Sequence, residues 1–180
     1  MSQSLAHRLV TPVDEEAHRR AARLRELGLL QEVPDPEFDE FARRLAQELD
    51  VPFGFVNIIG PTRQYFAGLY PSSRDRGVDP MTDPFRAMGC DQGFCIYVRA
   101  RKHAMALDEV LDYHVFAGNP AVELIGARSY LGAPLMDGTL ALGTVAVVDT
   151  RPREWGAEGV EYIKARAAEI LERIHRRAGA

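Results

Sequence analysis

The chain has 180 residues, 46 % of them hydrophobic and 27 % charged, with 15 Gly and 11 Pro spread along its length; these are the proportions of a folded globular domain and exclude a disordered, collagen-like or low-complexity chain. Lys and Arg number 22 against 26 Asp and Glu, a net charge of −4, so no basic excess exists to neutralise a phosphate backbone and nucleic acid is not an expected partner. The sequence has no signal-peptide core and no run approaching the roughly 18 apolar residues of a membrane span; with only two cysteines, Cys90 and Cys95, the expectation is a cytoplasmic protein with free thiols.

The first periodic segment covers residues 13–30, where Ala17, Ala21, Leu24 and Leu27 share a face among Glu and Arg; the spacing predicts an exposed amphipathic helix. Asp35 and Pro36 suit the cap and first position of a second helix. That helix, residues 37–50, carries Phe38, Phe41, Ala42, Leu45 and Leu49 on a stripe wide enough to pack on a sheet. Residues 53–59 and 63–69 read as two strands joined through Gly60-Pro61. Residues 70–89 lack periodicity and read as a long surface loop with at most one helical turn.

A short helix over residues 92–101, capped by Asp91, is expected next, then a strand at 104–107. Asn119-Pro120-Ala121 resembles the cap and first turn of another short helix ending near Gly126. Strands at 129–136 and 140–149 meet at Asp137-Gly138, a strong hairpin signal. In the last segment, 157–177, Val160, Ile163, Ala167, Ile170 and Ile174 repeat at spacings of three and four. Such a seam serves either a helix lying on its own sheet or a helix that forms a dimer. The division expected is an N-terminal helix over 1–34, one domain over 35–177 and a tail over 178–180.

This order of elements is α+β: an antiparallel sheet with helices on one face. It resembles a GAF domain. The likeness is carried by residues 38–46 before Val56-Asn57-Ile58-Ile59, by Arg63-Gln64-Tyr65-Phe66-Ala67, by Gly93-Phe94-Cys95, and by residues 106–110. It continues in Asn119-Pro120-Ala121-Val122, in Tyr130-Leu131-Gly132-Ala133-Pro134-Leu135, and in residues 142–149 followed by Arg151-Pro152-Arg153-Glu154-Trp155.

The resemblance implies a ligand cavity between the sheet and a layer of loops and short helices, with the terminal helices on the opposite face. Phe66, Cys90, Phe94, Cys95, Tyr97, Asp108, Tyr113, Phe116 and Tyr130 are the expected lining, an aromatic wall suited to a small organic ligand. No cofactor is expected. Expected partners are a small molecule, a second copy of the chain held through the terminal helices, and a signalling protein.

Other branches of the family leave marks that can be checked. Free methionine-(R)-sulfoxide reductases resemble this chain at Cys95, so Cys95 and Cys90 are the catalytic candidates if it is an enzyme, but the nucleophile's position between Phe116 and Tyr130 holds no cysteine. Neither cysteine is followed by His, as bilin attachment requires, and Asn57 and Asn119 are followed by Ile58 and Pro120 rather than by the Lys of the cyclic-nucleotide signature. His103 and His114 are the available axial ligands for a haem. The five His residues are scattered, and no Cys-x-x-Cys, Walker loop or Gly-x-Gly-x-x-Gly occurs. If the chain is only a dimerisation module, Leu24, Leu27, Ile163 and Ile170 form its interface.

Overall fold

A computed structural model describes residues 11–179. Helix α1, Ala17–Glu26, buries Leu24. Helix α2, Pro36–Leu49, starts where expected: the Asp35 carboxylate accepts from the backbone N–H of Glu37 and Phe38, and Pro36 occupies the first turn. Its stripe of Phe38, Phe41, Ala42 and Leu45 is fully buried, each large side chain contributing about 1.5–3 kcal/mol.

Six strands form one antiparallel sheet: β1 Phe53–Ile59, β2 Arg63–Tyr70, β3 Ala87–Gly89, β4 Met105–Leu107, β5 Ser129–Asp137 and β6 Leu140–Asp149, in the order β3-β2-β1-β6-β5-β4. Between β3 and β4 lies helix α3, Cys95–Arg101; between β4 and β5 lie two 3-10 turns and helix α4, Pro120–Ile125. The chain finishes in helix α5, Gly156–Ala178.

Two cores lie on opposite faces of this sheet. On one face, Val56, Ile58, Leu131, Leu135, Val145 and Val147 meet α1, α2 and α5. On the other, Phe55, Phe66, Leu69, Tyr130, Ala146 and Val148 meet α3, α4 and the 3-10 turns. Simple alternation would send Phe66 and Leu69 to opposite faces. The β1–β2 register slips after the Val56–Gly68 pair, so that Asn57 faces Phe66, and this extra residue on β2 turns Phe66 and Leu69 the same way. At Gly68 a Cβ would lie 2.4 Å from the Phe38 carbonyl oxygen; the missing side chain is what lets α2 lie directly on β2.

Two expectations from the sequence are corrected. Asp91 does not cap α3: the helix begins at Cys95 with Phe94 at the N-cap position, because Gly93 adopts φ +75° and keeps the chain in a turn until then. Residues 70–89 are not all surface loop. Arg86 is fully buried, donating from Nη2 to Asp39 at 2.7 Å, from Nε to Ser73 Oγ at 2.7 Å and from Nη1 to the Phe66 carbonyl at 2.9 Å. Held by that guanidinium, residues 87–89 pair with β2 as β3. A buried Arg costs stability unless fully paired, and here each nitrogen has a partner.

The seam of α5 faces inward. Ile163, Ala167, Ile170 and Ile174 are buried against the sheet, as are Leu24 and Leu27 of the N-terminal segment. The dimer interface expected at Leu24, Leu27, Ile163 and Ile170 is therefore corrected: these side chains are spent on the chain's own core. The outer layer is tied by charge, with Arg173 on Glu37 at 3.0 Å, Arg177 on Asp35 and Glu37, and the Arg177 guanidinium 4.7 Å from the Phe38 ring centre.

Candidate functional site

Between the second core's sheet face and the α3–α4 layer is a cavity of about 180 Å³. Strand residues Phe55, Phe66, Tyr130 and Val148 form its floor; Gly93, Phe94 and Cys95 wall one side, Ala121 and Ile125 of α4 another, and Phe85 and Met88 the rim. Phe55 and Phe66 approach with ring centres 4.9 Å apart, and Phe94 lies 5.1 Å from Tyr130. Tyr130 can lie flat along the sheet because Gly132, two residues on, has no side chain: a Cβ there would come within 2.2 Å of the phenol oxygen.

One residue joins the two walls. Asn119, fully buried, donates from Nδ2 to the Gly93 carbonyl at 2.9 Å, while its Oδ1 accepts from the Gly93 N–H and from the Ala121 N–H, each at 3.1 Å. It caps α4, as the sequence suggested, and also fastens the turn before α3. The second role has no sequence signal, since the two segments lie 26 residues apart.

The polar groups are few and buried. The Gln64 amide donates to the carbonyls of Gly89 at 2.7 Å and Gln92 at 2.8 Å and accepts from Asn57 Nδ2 at 2.8 Å. Tyr130 Oη and Cys95 Sγ are 3.3 Å apart, either able to donate. Asn57 and Thr144, cross-strand partners, are fully buried, and their Oδ1 and Oγ1 atoms have no hydrogen-bond partner.

Burial pushes the Cys95 thiol above its ordinary pKa, with smaller opposing effects from Thr144, Tyr130 and Asn57. Burial, and then Cys95 itself, lifts the Tyr130 phenol well above its usual value. Although Cys95 opens a helix, desolvation outweighs the helix terminus. The site is thus neutral and apolar.

Of the expected lining, Phe66, Phe94, Cys95 and Tyr130 meet at the cavity. Phe116 stands behind it, edge-on to Phe94 at 5.0 Å and to Tyr97 at 5.1 Å. Tyr113 is 43 % exposed. Asp108 serves the fold instead, accepting the Trp155 N–H at 3.2 Å. Cys90 points to the Gly60 carbonyl at 3.9 Å, and burial raises its thiol too, against the charges of Arg99 and Arg20. Both cysteines are free. His103 and His114 are exposed and do not line the cavity. Phe55, Gln64, Met88, Ala121 and Ile125 were not foreseen: they alternate or repeat like any core residue, and only the β2 bulge and the Asn119 link bring them together.

Comparison with known proteins places this geometry. The family model "GAF domain" matches residues 34–174. A cyclic di-GMP phosphodiesterase of Pseudomonas aeruginosa is 32 % identical over 168 residues, covering 91 % of this chain and 27 % of the relative, so the chain spans about a quarter of that relative's length. Among solved structures, the GAF domain of an Acinetobacter phosphoenolpyruvate-protein phosphotransferase aligns with a TM-score of 0.57 at 12 % identity, covering 93 % of this chain and 95 % of that one. Free methionine-R-sulfoxide reductase of Neisseria meningitidis in complex with its substrate aligns at 0.60 and 13 % identity, covering 93 % and 94 %. These two share the fold. On the family match, which spans residues 34–174, the chain belongs to the GAF domain family.

Proposed function

We propose that this chain is a sensory module that binds a small organic molecule in the cavity and reports its presence through the terminal helices to a signalling partner in the cytoplasm. One observation carries the reading: α3 belongs to the cavity at one end and to the N-terminal segment at the other. Its first residue, Cys95, lines the cavity. From its far end Arg99 pairs with Asp14 at 2.8 Å, and Lys102, just past the helix, with Glu16 at 2.9 Å. Asp14 in turn pairs with Arg20 of α1. A ligand that shifts α3 acts directly on the start of α1.

The phosphodiesterase relative supports an output carried by other sequence, since the matching stretch is 27 % of that protein. A cysteine-dependent reductase is less well supported, because both thiols are held protonated by burial and Cys90 does not line the cavity. Native mass spectrometry of the chain recovered from the cells that make it tests the reading. A reproducible extra mass is expected, lost in Ala121→Trp, whose indole fills the cavity; a bare chain indistinguishable from that variant would refute it.

A further inference from the structure

We infer that the cavity takes a neutral molecule of one or two fused rings carrying a single hydrogen-bonding group, and that Tyr130 and Cys95 receive that group at the floor. This rests on the cavity being a ligand site, as proposed above, and goes further by fixing the ligand's size, charge and polar end.

Size comes first. At about 180 Å³ the space is smaller than the roughly 300–1,000 Å³ of sites for drug-sized ligands and close to a cavity of about 150 Å³ that admits a benzene ring. A dinucleotide or a tetrapyrrole does not fit within it.

Charge is the second constraint. No Arg, Lys, His, Asp or Glu lines the cavity. An ion placed there would lose its hydration with no counter-charge, at a cost of several kcal/mol. That argues against carboxylates, phosphates and amino-acid zwitterions, methionine sulfoxide among them. The walls offer ring faces and aliphatic side chains: Phe55, Phe66, Phe94, Val148 and Ile125.

The third constraint is which polar atoms remain available. Gln64 spends its amide on Gly89, Gln92 and Asn57, and Asn119 occupies both backbone groups of Gly93. At the floor what is left is the Tyr130 hydroxyl, whose partner is the Cys95 thiol, while Gln92, on the side wall, has its Oε1 on the Gly89 N–H. Thr144, fully buried with an unpartnered hydroxyl, acts on both that thiol and the phenol, and its oxygen can accept the S–H. The phenol is then free to bond a ligand oxygen or nitrogen.

The test uses the full chain, with benzamide, benzoate and toluene as probes, read by calorimetry and by amide chemical shifts of Phe94, Cys95 and Ala121. Benzamide and benzoate share a shape and differ in charge. Benzamide is expected to bind and move those amides, with benzoate weaker by about tenfold or more. Tyr130→Phe should weaken benzamide by about three- to tenfold and leave toluene unchanged. Benzoate or methionine sulfoxide binding at these amides as tightly as benzamide would overturn the ligand class while leaving the cavity a ligand site. No shift with any probe, charged or neutral, would overturn the site itself. The benzamide–benzoate comparison needs no variant, so it decides the matter even where Tyr130→Phe does not fold.

Discussion

Asn119 shows how much one amide can hold. Its three hydrogen bonds, all to buried backbone groups, join the turn before α3 to the start of α4, the two walls of the cavity. Asn119→Ala leaves the Gly93 N–H and C=O without partners, and a destabilisation of about 2 kcal/mol is expected in chemical denaturation. The measurement that separates a local from a global effect is amide exchange: protection should fall around residues 93–98 and 120–125 more than in α5. Uniform loss of protection would mean that Asn119 does not act as a clamp. The cysteines supply a second test at this scale. Because burial raises both thiols, alkylation by iodoacetamide at pH 7.5 is expected to run about tenfold or more below that of a free thiol, with the partly buried Cys90 reacting before the buried Cys95. Rapid labelling of Cys95, followed by mass spectrometry, would restore the case for thiol chemistry.

Elements explain what could be read from the sequence and what could not. The α2 stripe, its Asp35 cap, the β5–β6 hairpin and the succession of the other elements along the chain were legible because each depends on neighbours in the chain. The α5 seam was legible as a buried face, but periodicity carries no information about which surface covers it; Ile163 and Ile170 meet their own sheet. Strand β3 left no signal, since three residues are too few to show alternation and its anchor, Arg86, is a charged residue in the core. Asp137 is similar: the sequence marks it as a turn residue, yet it joins both terminal helices to the hairpin, accepting from Arg23 of α1 and sitting 2.9 Å from His175 Nε2 of α5.

The Arg23 hydrogen bond, against a smaller effect of burial, holds the Asp137 carboxyl below its ordinary pKa. A carboxylate depressed on folding stabilises above its unfolded pKa of about 3.9, and that stability is lost as pH falls through the lower folded value. Asp137→Asn should therefore cost about 1 kcal/mol at pH 7, a fall of roughly 2–4 °C in melting temperature. The gap from the unaltered chain should narrow as pH drops below about 3.9. A gap that stays constant to pH 2.5 would show that the hydrogen bond's charge is irrelevant.

At the scale of the whole molecule, the sheet separates two cores, and ion pairs at the far end of α3 reach the segment leading into α1. Strand β6 serves both at once, with Ala146 and Val148 toward the cavity and Val145 and Val147 toward the helices. Packing of this kind transmits displacement poorly in continuous form and well between discrete arrangements. The ion pairs at the far end of α3 offer such a discrete link. Arg20 and Arg99 are nearly inaccessible, at 1 % and 5 % exposure, and both are met by Asp14. Burial raises the Asp14 carboxyl's pKa, but the Arg20 hydrogen bond and the charges of Arg20 and Arg99 outweigh it and hold it low, so it is ionised at neutral pH. Asp14→Asn leaves two buried guanidinium groups without their counter-charge, at a cost of about 3 kcal/mol. More telling than the stability loss is what happens to coupling. If α3 carries the cavity's state to α1, filling the cavity with Ala121→Trp should change amide exchange across residues 17–26 in the unaltered chain. The same substitution made on Asp14→Asn should leave those amides as they are in Asp14→Asn alone. Such a cycle isolates the link from the separate costs of each change. A response of α1 that persists without Asp14 would place the route through the Lys102–Glu16 pair or the sheet, and no response in either background would remove α1 from the output altogether.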